Sequence, residues 1–183
     1  MTDYPIHTVD SAPDDTRQPL TVLRQAFGFV PNGAGVMANS PVLLNSFFSA
    51  FGHFRGSGTF TPAERQVLLL SNAVANDCVW AVAFHSLEAL ADGVTPAAVD
   101  AIRRRELPVD PRFAALSTLT RALIEKRGHL DETDTKAFTA AGFDDAQLLE
   151  VITGVAISTM TNYAANVAKL PLEAPLLPHA WAY

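Results

Sequence analysis

The chain contains one cysteine, Cys78, in 183 residues. A single thiol forms no internal disulfide and fits a reducing compartment better than secretion. Lysines and arginines number 13 against 19 aspartates and glutamates, for a formal net charge of −6. With no basic cluster beyond Arg103-Arg104-Arg105, that balance gives no electrostatic footprint for a phosphate backbone, so no nucleic acid is expected as a partner. The arginine triplet reads as a solvated helix end, where positive charge suits the dipole. No uncharged apolar run approaches the roughly 20 residues of a membrane helix; the longest candidate, 148–170, is interrupted by Glu150, Asn162 and Asn166. The opening MTDYPIHTVDSAPDD has acids and prolines where a signal peptide needs a basic start and an apolar run, so no membrane and a cytoplasmic location are expected. There is no C-x-x-C, H-x-x-x-H or acidic repeat, no glycine-rich phosphate loop and no Ser-His-Asp order. Neither a metal nor another cofactor is expected.

What is present is apolar and helical. Hydrophobic residues make up 49% and charged residues 17%, which implies a large core or an apolar surface that meets a second copy; a homo-oligomer is expected. A chain of this length buries roughly two-thirds of its unfolded surface in one domain. Thr61-Pro62-Ala63-Glu64 has the pattern of a capping box with proline at the first helical position. Asp144 with Gln147 repeats the box, Thr95-Pro96 and Asp131 mark further starts, and Gly93, Gly128 and Gly142 mark stops. Apolar residues recur at helical spacing between these marks, and no segment alternates like a strand. The resulting fold class is all-α, with about eight helices near 15–27, 40–54, 62–76, 78–92, 96–105, 110–127, 132–141 and 145–168. Residues 15–170 form the helical domain, flanked by an amino-terminal arm, 1–14, and a proline-broken carboxy-terminal arm, 171–183, too apolar to hang free.

The chemistry concentrates in NDCVWAVAFH, residues 76–85. Asn76-Asp77 is turn-prone, which places Cys78 at the start of a helix. Cys78, Ala81 and His85 follow at i, i+3 and i+7 and share a face. Free amides and the helix dipole favour a thiolate at Cys78, while Asp77 opposes it. Farther on, Asn162 and Asn166 share a face of an otherwise apolar helix and require partners, from another helix or in a pocket.

The run TPAERQVLLLSNAVANDCVWAVAFHSLEALADGVTPAAVDAIRR resembles the core of the alkylhydroperoxidase D (AhpD)-like, carboxymuconolactone decarboxylase superfamily. Its thiol members read E-x(11)-C-x-x-C-x-x-x-H. FGFVPNGAGVMANSPVLLNSF upstream, and the segment from Gly128 to Asn166, extend the likeness to the peroxidase-related branch, over about residues 20–172. The resemblance implies an all-helical fold assembled as dimers, trimers or hexamers. It aligns Cys78 with the first motif cysteine, His85 with the motif histidine, Ala81 with the second cysteine and Gln66 with the motif acid; Glu64 lies two residues before Gln66, and Trp80 stands where an aromatic separates the cysteines. Cys78, His85 and Gln66 are thus the candidate catalytic residues, and Glu64, Trp80 and Ala81 the candidate substrate-pocket residues.

A methyl group cannot attack an O–O bond and a carboxamide cannot act as a general base at neutral pH, so a dithiol peroxidase cycle is closed on this alignment. Three functions follow from the resemblance. The first is an antioxidant oxidoreductase with at most one working cysteine. The second is a cysteine-independent decarboxylase or isomerase in which His85 moves a proton on a small carboxylated ring; that substrate needs a cation, and the sequence places no arginine beside the motif. The third is a non-catalytic oligomer that binds a small ligand.

Overall fold

The helix starts seen in the sequence are built from side-chain caps. In the computed structural model, which describes residues 4–182, the Glu64 amide donates to Thr61 Oγ1 at 3.2 Å and the Thr61 amide donates back to the Glu64 carboxylate at 2.9 Å. Asp131 with Asp134, and Asp144 with Gln147, form the same reciprocal box, which satisfies amides that have no partner inside the helix. Nine α-helices result among the described residues: α1 Asp14–Phe27, α2 Asn32–Met37, α3 Pro41–Gly56, α4 Pro62–Ala75, α5 Val79–Ala91, α6 Pro96–Arg103, α7 Pro111–Glu125, α8 Glu132–Ala140 and α9 Asp145–Ala168. A 3-10 turn spans Ala174–His179.

Eight of the α-helices lie within two residues of the bounds read from the sequence. The two additional elements lack local signals. In α2, Gly33 and Gly35 are poor helix formers, and the element exists through burial: every residue from Gly33 to Met37 is buried. A Cβ on Gly33 would come within 2.8 Å of the Trp80 ring, and one on Gly35 within 2.7 Å of the His7 carbonyl oxygen. The 3-10 turn forms within a proline-broken stretch because Leu176 is fully buried beneath it and it packs on α5.

Helix α4 is the centre. Its residues from Gln66 to Val74 are all buried, and it packs on α5, α6, α7 and α9, as expected of a helix apolar on nearly every side. Gly154 lets α9 approach it: a Cβ there would lie 2.7 Å from Leu68 Cδ2. Two asparagines tie the same pair of helices, Asn162 Nδ2 donating to Asn72 Oδ1 at 2.7 Å and Asn166 Nδ2 to the Asn76 carbonyl at 3.0 Å.

Within the arginine triplet Arg104 and Arg105 are exposed, as expected of a solvated helix end, while Arg103 is partly buried. Arg103 donates to the carbonyls of His179 and Ala180 at 2.9 and 2.8 Å, which pins the carboxy-terminal segment, and Arg105 pairs with Asp77. On the outer side of α9, Leu149, Ile152, Tyr163 and Val167 are exposed at helical spacing. No helix among the described residues is long and apolar enough to cross a membrane.

Candidate functional site

The α4–α5 junction positions the site. Cys78 N–H bonds the Ala73 carbonyl at 3.0 Å and Asp77 N–H that of Val74 at 3.2 Å, with Asp77 left-handed at φ 51°. This is a Schellman closure of α4. The following residue, Cys78, is at once the end of that motif and the N-cap of α5, so helix reversal fixes the thiol inside the core, where it is 0% exposed. Burial pushes the Cys78 thiol up to about 11, against the amides of Ala81 and Trp80, which favour the thiolate. Helix-start activation is present but weaker than desolvation.

Two turns on, the environment changes. His85 Nδ1 lies 3.2 Å from Gln66 Oε1, and Gln66 Nε2 donates to Asp92 Oδ2 at 3.0 Å. Because a carboxylate only accepts, Asp92 fixes the Gln66 amide with its oxygen toward the ring; that oxygen also only accepts, so Nδ1 carries the proton. The lone pair is left on Nε2. Burial drives the His85 pKa down to about 3, so the ring is neutral at pH 7.

His85 lines two cavities. One, of about 50 Å³, is walled by aromatic and aliphatic side chains including Phe27, Phe51, Trp80 and Phe84, with Ser158 and Thr161 from α9. The other, of about 20 Å³, shares Phe27, Phe51, Leu69, Phe84 and His85 with the first and adds Gln66, Arg55, Arg65 and Glu88. The imidazole thus sits at the border between an apolar chamber and a polar, arginine-bearing end. The Arg65 pKa is lowered by its burial and then by the nearby charge of Arg55, with Asp92 and Glu150 acting the other way. Neither guanidinium has a carboxylate within 4.0 Å among the described residues. The pKa of Glu88 is raised by burial and next by Asp92, against Arg55.

The six candidate residues therefore separate. Gln66, His85 and Trp80 meet around the cavities. Cys78 lines neither of them, and Ala81 is fully buried core. Glu64 faces away: Arg112 Nε and Nη2 donate to its Oε1 at 2.9 and 2.8 Å. Burial alone would raise the Glu64 pKa, but hydrogen bonds from Thr61 and Arg112 outweigh it and lower the value. Arg55, Arg65 and Asp92 went unassigned in the sequence. Arg55 and Arg65 reach the His85 cavity only through helix packing, whereas Asp92 caps the helix that carries His85 and meets Gln66 from α4; its one local sign is that it precedes Gly93, the stop of α5. Among the described residues no group of three or more His, Cys, Asp or Glu side chains could hold a metal ion.

Residues 43–121 match the Carboxymuconolactone decarboxylase family. No curated protein matches the chain. Among solved structures, an uncharacterized peroxidase-related protein from Ralstonia eutropha JMP134, described as an alkylhydroperoxidase AhpD core, superimposes with a TM-score of 0.82 at 22% identity, over 94% of this chain and 93% of that one. A peroxidase-related protein from Silicibacter sp. TM1040 gives 0.77 at 20% identity, over 94% and 91%. The debrominase Bmp8, as a cysteine-to-alanine variant in complex with 2,3,4-tribromopyrrole, gives 0.80 at 16% identity, over 98% and 95%. At these identities the likeness establishes the fold.

Proposed function

We propose that the chain, whose residues 43–121 match the Carboxymuconolactone decarboxylase family, is a member of the AhpD-like, carboxymuconolactone decarboxylase superfamily that binds a small organic anion at the His85 cavity and transfers protons on it without using Cys78. The observation that carries this reading is the division of α5: His85 borders both cavities, with Arg55 and Arg65 beside it, while Cys78 lines neither. The cation that a carboxylated substrate requires is supplied by these two arginines, from α3 and α4. The chamber limits size. At about 50 Å³ it has a third of the volume of an engineered cavity of ~150 Å³ that takes benzene, so the body it accepts is a few carbon atoms.

An imidazole with a pKa near 3 is a feeble base in the empty site. An anionic ligand seated beside it favours the imidazolium and strengthens Nε2 as a proton acceptor. The carboxylate would face Arg55 and Arg65, and Nε2 would take a proton from the adjacent carbon. Gln66 would hold the ring through Nδ1. Returning the proton to a different carbon completes an isomerisation with no redox change. A second reading, one-cysteine thiol chemistry, draws on the peroxidase-related neighbours and on the amides that favour a Cys78 thiolate.

But-3-enoate is a suitable probe: its conversion to but-2-enoate moves one proton from C2 to C4, and NMR in D2O records both the shift and the deuterium incorporated. His85→Gln is expected to lower the rate by on the order of 10²-fold or more. The double variant Arg55→Gln/Arg65→Gln should weaken binding by about tenfold, the order expected for lost hydrogen bonds to a charged group. Cys78→Ala should leave both unchanged. But-3-enamide bound as well as but-3-enoate, or turnover indifferent to His85, would defeat the proposal.

A further inference from the structure

We infer that Glu173, in the carboxy-terminal segment, is a positioning residue that sets the bore of the His85 cavity by holding Trp80 in its wall. Trp80 is 5% exposed and is confined on three sides. Gly33 lies against its six-membered ring, where a Cβ would come within 2.8 Å. Phe84 stacks on it at 5.2 Å with planes 17° apart, and Phe84 in turn meets His85 edge-on at 5.3 Å. On the third side the indole Nε1–H donates to Glu173 Oε2 at 2.8 Å. The other carboxylate oxygen, Oε1, accepts the Asn32 backbone N–H at 2.6 Å, and Asn32 Nδ2 donates to the Pro171 carbonyl at 3.1 Å.

One carboxylate therefore joins α2, α5 and the carboxy-terminal segment behind a single cavity wall. Two acceptor oxygens answer two donors, and no other side chain of similar length does so. Glutamine keeps one acceptor and turns an NH2 donor toward the remaining N–H. The segment that brings Glu173 is itself anchored, by buried Leu176 and by Arg103 on the carbonyls of His179 and Ala180. In a chamber of about 50 Å³ the placement of one indole decides what enters. Released from Glu173, the ring keeps its contacts with Gly33 and Phe84 but no longer has a hydrogen bond to fix it in its plane, and it can yield to a larger apolar guest. Treating this size limit as substrate selection rests on the cavity being the ligand site proposed above; the mechanical link between Glu173 and Trp80 does not.

The experiment uses the full chain labelled with 5-fluorotryptophan, with Trp181→Phe to assign the Trp80 resonance, and benzene as the probe. Wild type should give one narrow Trp80 line that does not respond to benzene. Glu173→Gln and Glu173→Ala should shift and broaden that line and raise benzene affinity by about tenfold or more, seen as a benzene-dependent rise in Tm. Glu173→Gln is the milder change and keeps the test available if the alanine variant does not fold. A Trp80 line unchanged in the variants overturns the inference, and so does a freed indole with benzene still excluded. Failure of but-3-enoate turnover in wild type would instead remove the functional reading and leave these two outcomes standing.

Discussion

The start and the middle of α5 carry the two chemically notable side chains, and their environments differ in access more than in polarity. Cys78 and His85 are both neutral at pH 7 and for the same reason: burial penalises the charged form, which moves an acidic thiol up and a basic imidazole down. What separates them is the neighbourhood. Cys78 occupies the junction of two helices, where the Schellman closure leaves no opening. His85 lies where α1, α3 and α4 bring aromatic rings and arginines around a small hollow. A cysteine at a helix N-terminus is thus not a reactive cysteine unless the fold also leaves it a way out.

The largest expected effect tests that difference in access. Cys78 should react with an aromatic disulfide reagent at least ~10³-fold more slowly in the folded chain than in urea, because modification requires opening of the core. Rapid labelling of the native thiol would erase the contrast between the two positions and revive one-cysteine chemistry. Next is stability against pH, where the two groups act on opposite limbs. The folded chain holds His85 neutral down to about 3 while the unfolded imidazole protonates near 6.5, so the unfolded state binds more protons in that window and stability falls as pH drops through it. The folded thiol keeps its proton up to about 11 while the unfolded one loses it near 9.0, so stability also falls as pH rises through that second window. The alkaline loss is about 3 kcal/mol and the acid loss about 5 kcal/mol. Urea titrations across pH should show Cys78→Ala flattening only the alkaline limb and His85→Asn only the acid limb. The smallest effect concerns the imidazole proton. Asp92→Asn frees the Gln66 amide to turn over, so nitrogen-15 shifts of the His85 ring should change from one Nδ1–H tautomer to a mixture; an unaltered spectrum would remove Asp92 from the relay.

Much of the fold was legible because its signals are local. Thr61 with Glu64, and Asp144 with Gln147, announce helices by chemistry within one turn, and the left-handed glycines at 93, 128 and 142 end helical segments without a Cβ penalty. The helix α2 was not legible, since its glycines are chosen for close approach to Trp80 and His7 and not for helix propensity. At the site, the spacing in NDCVWAVAFH placed the thiol and the imidazole on one helix but could not say which of them faces a cavity. Glu64 and Gln66 are two residues apart, yet one turns to Arg112 and the other to His85. Which side of α4 meets α5 and which meets α7 is decided by packing.

The sequence by itself determined eight of the nine α-helices, their ends to within two residues and the chemical types available, because capping, periodicity and turn formation act over a few neighbouring residues. Only the tertiary structure decided that Arg55 and Arg65 stand beside His85, that Glu173 holds Trp80 across 93 positions of chain, and that Cys78 is sealed. Those relations are set by which helix faces pack together, and desolvation, the largest force on both titrating groups, exists only once they have packed.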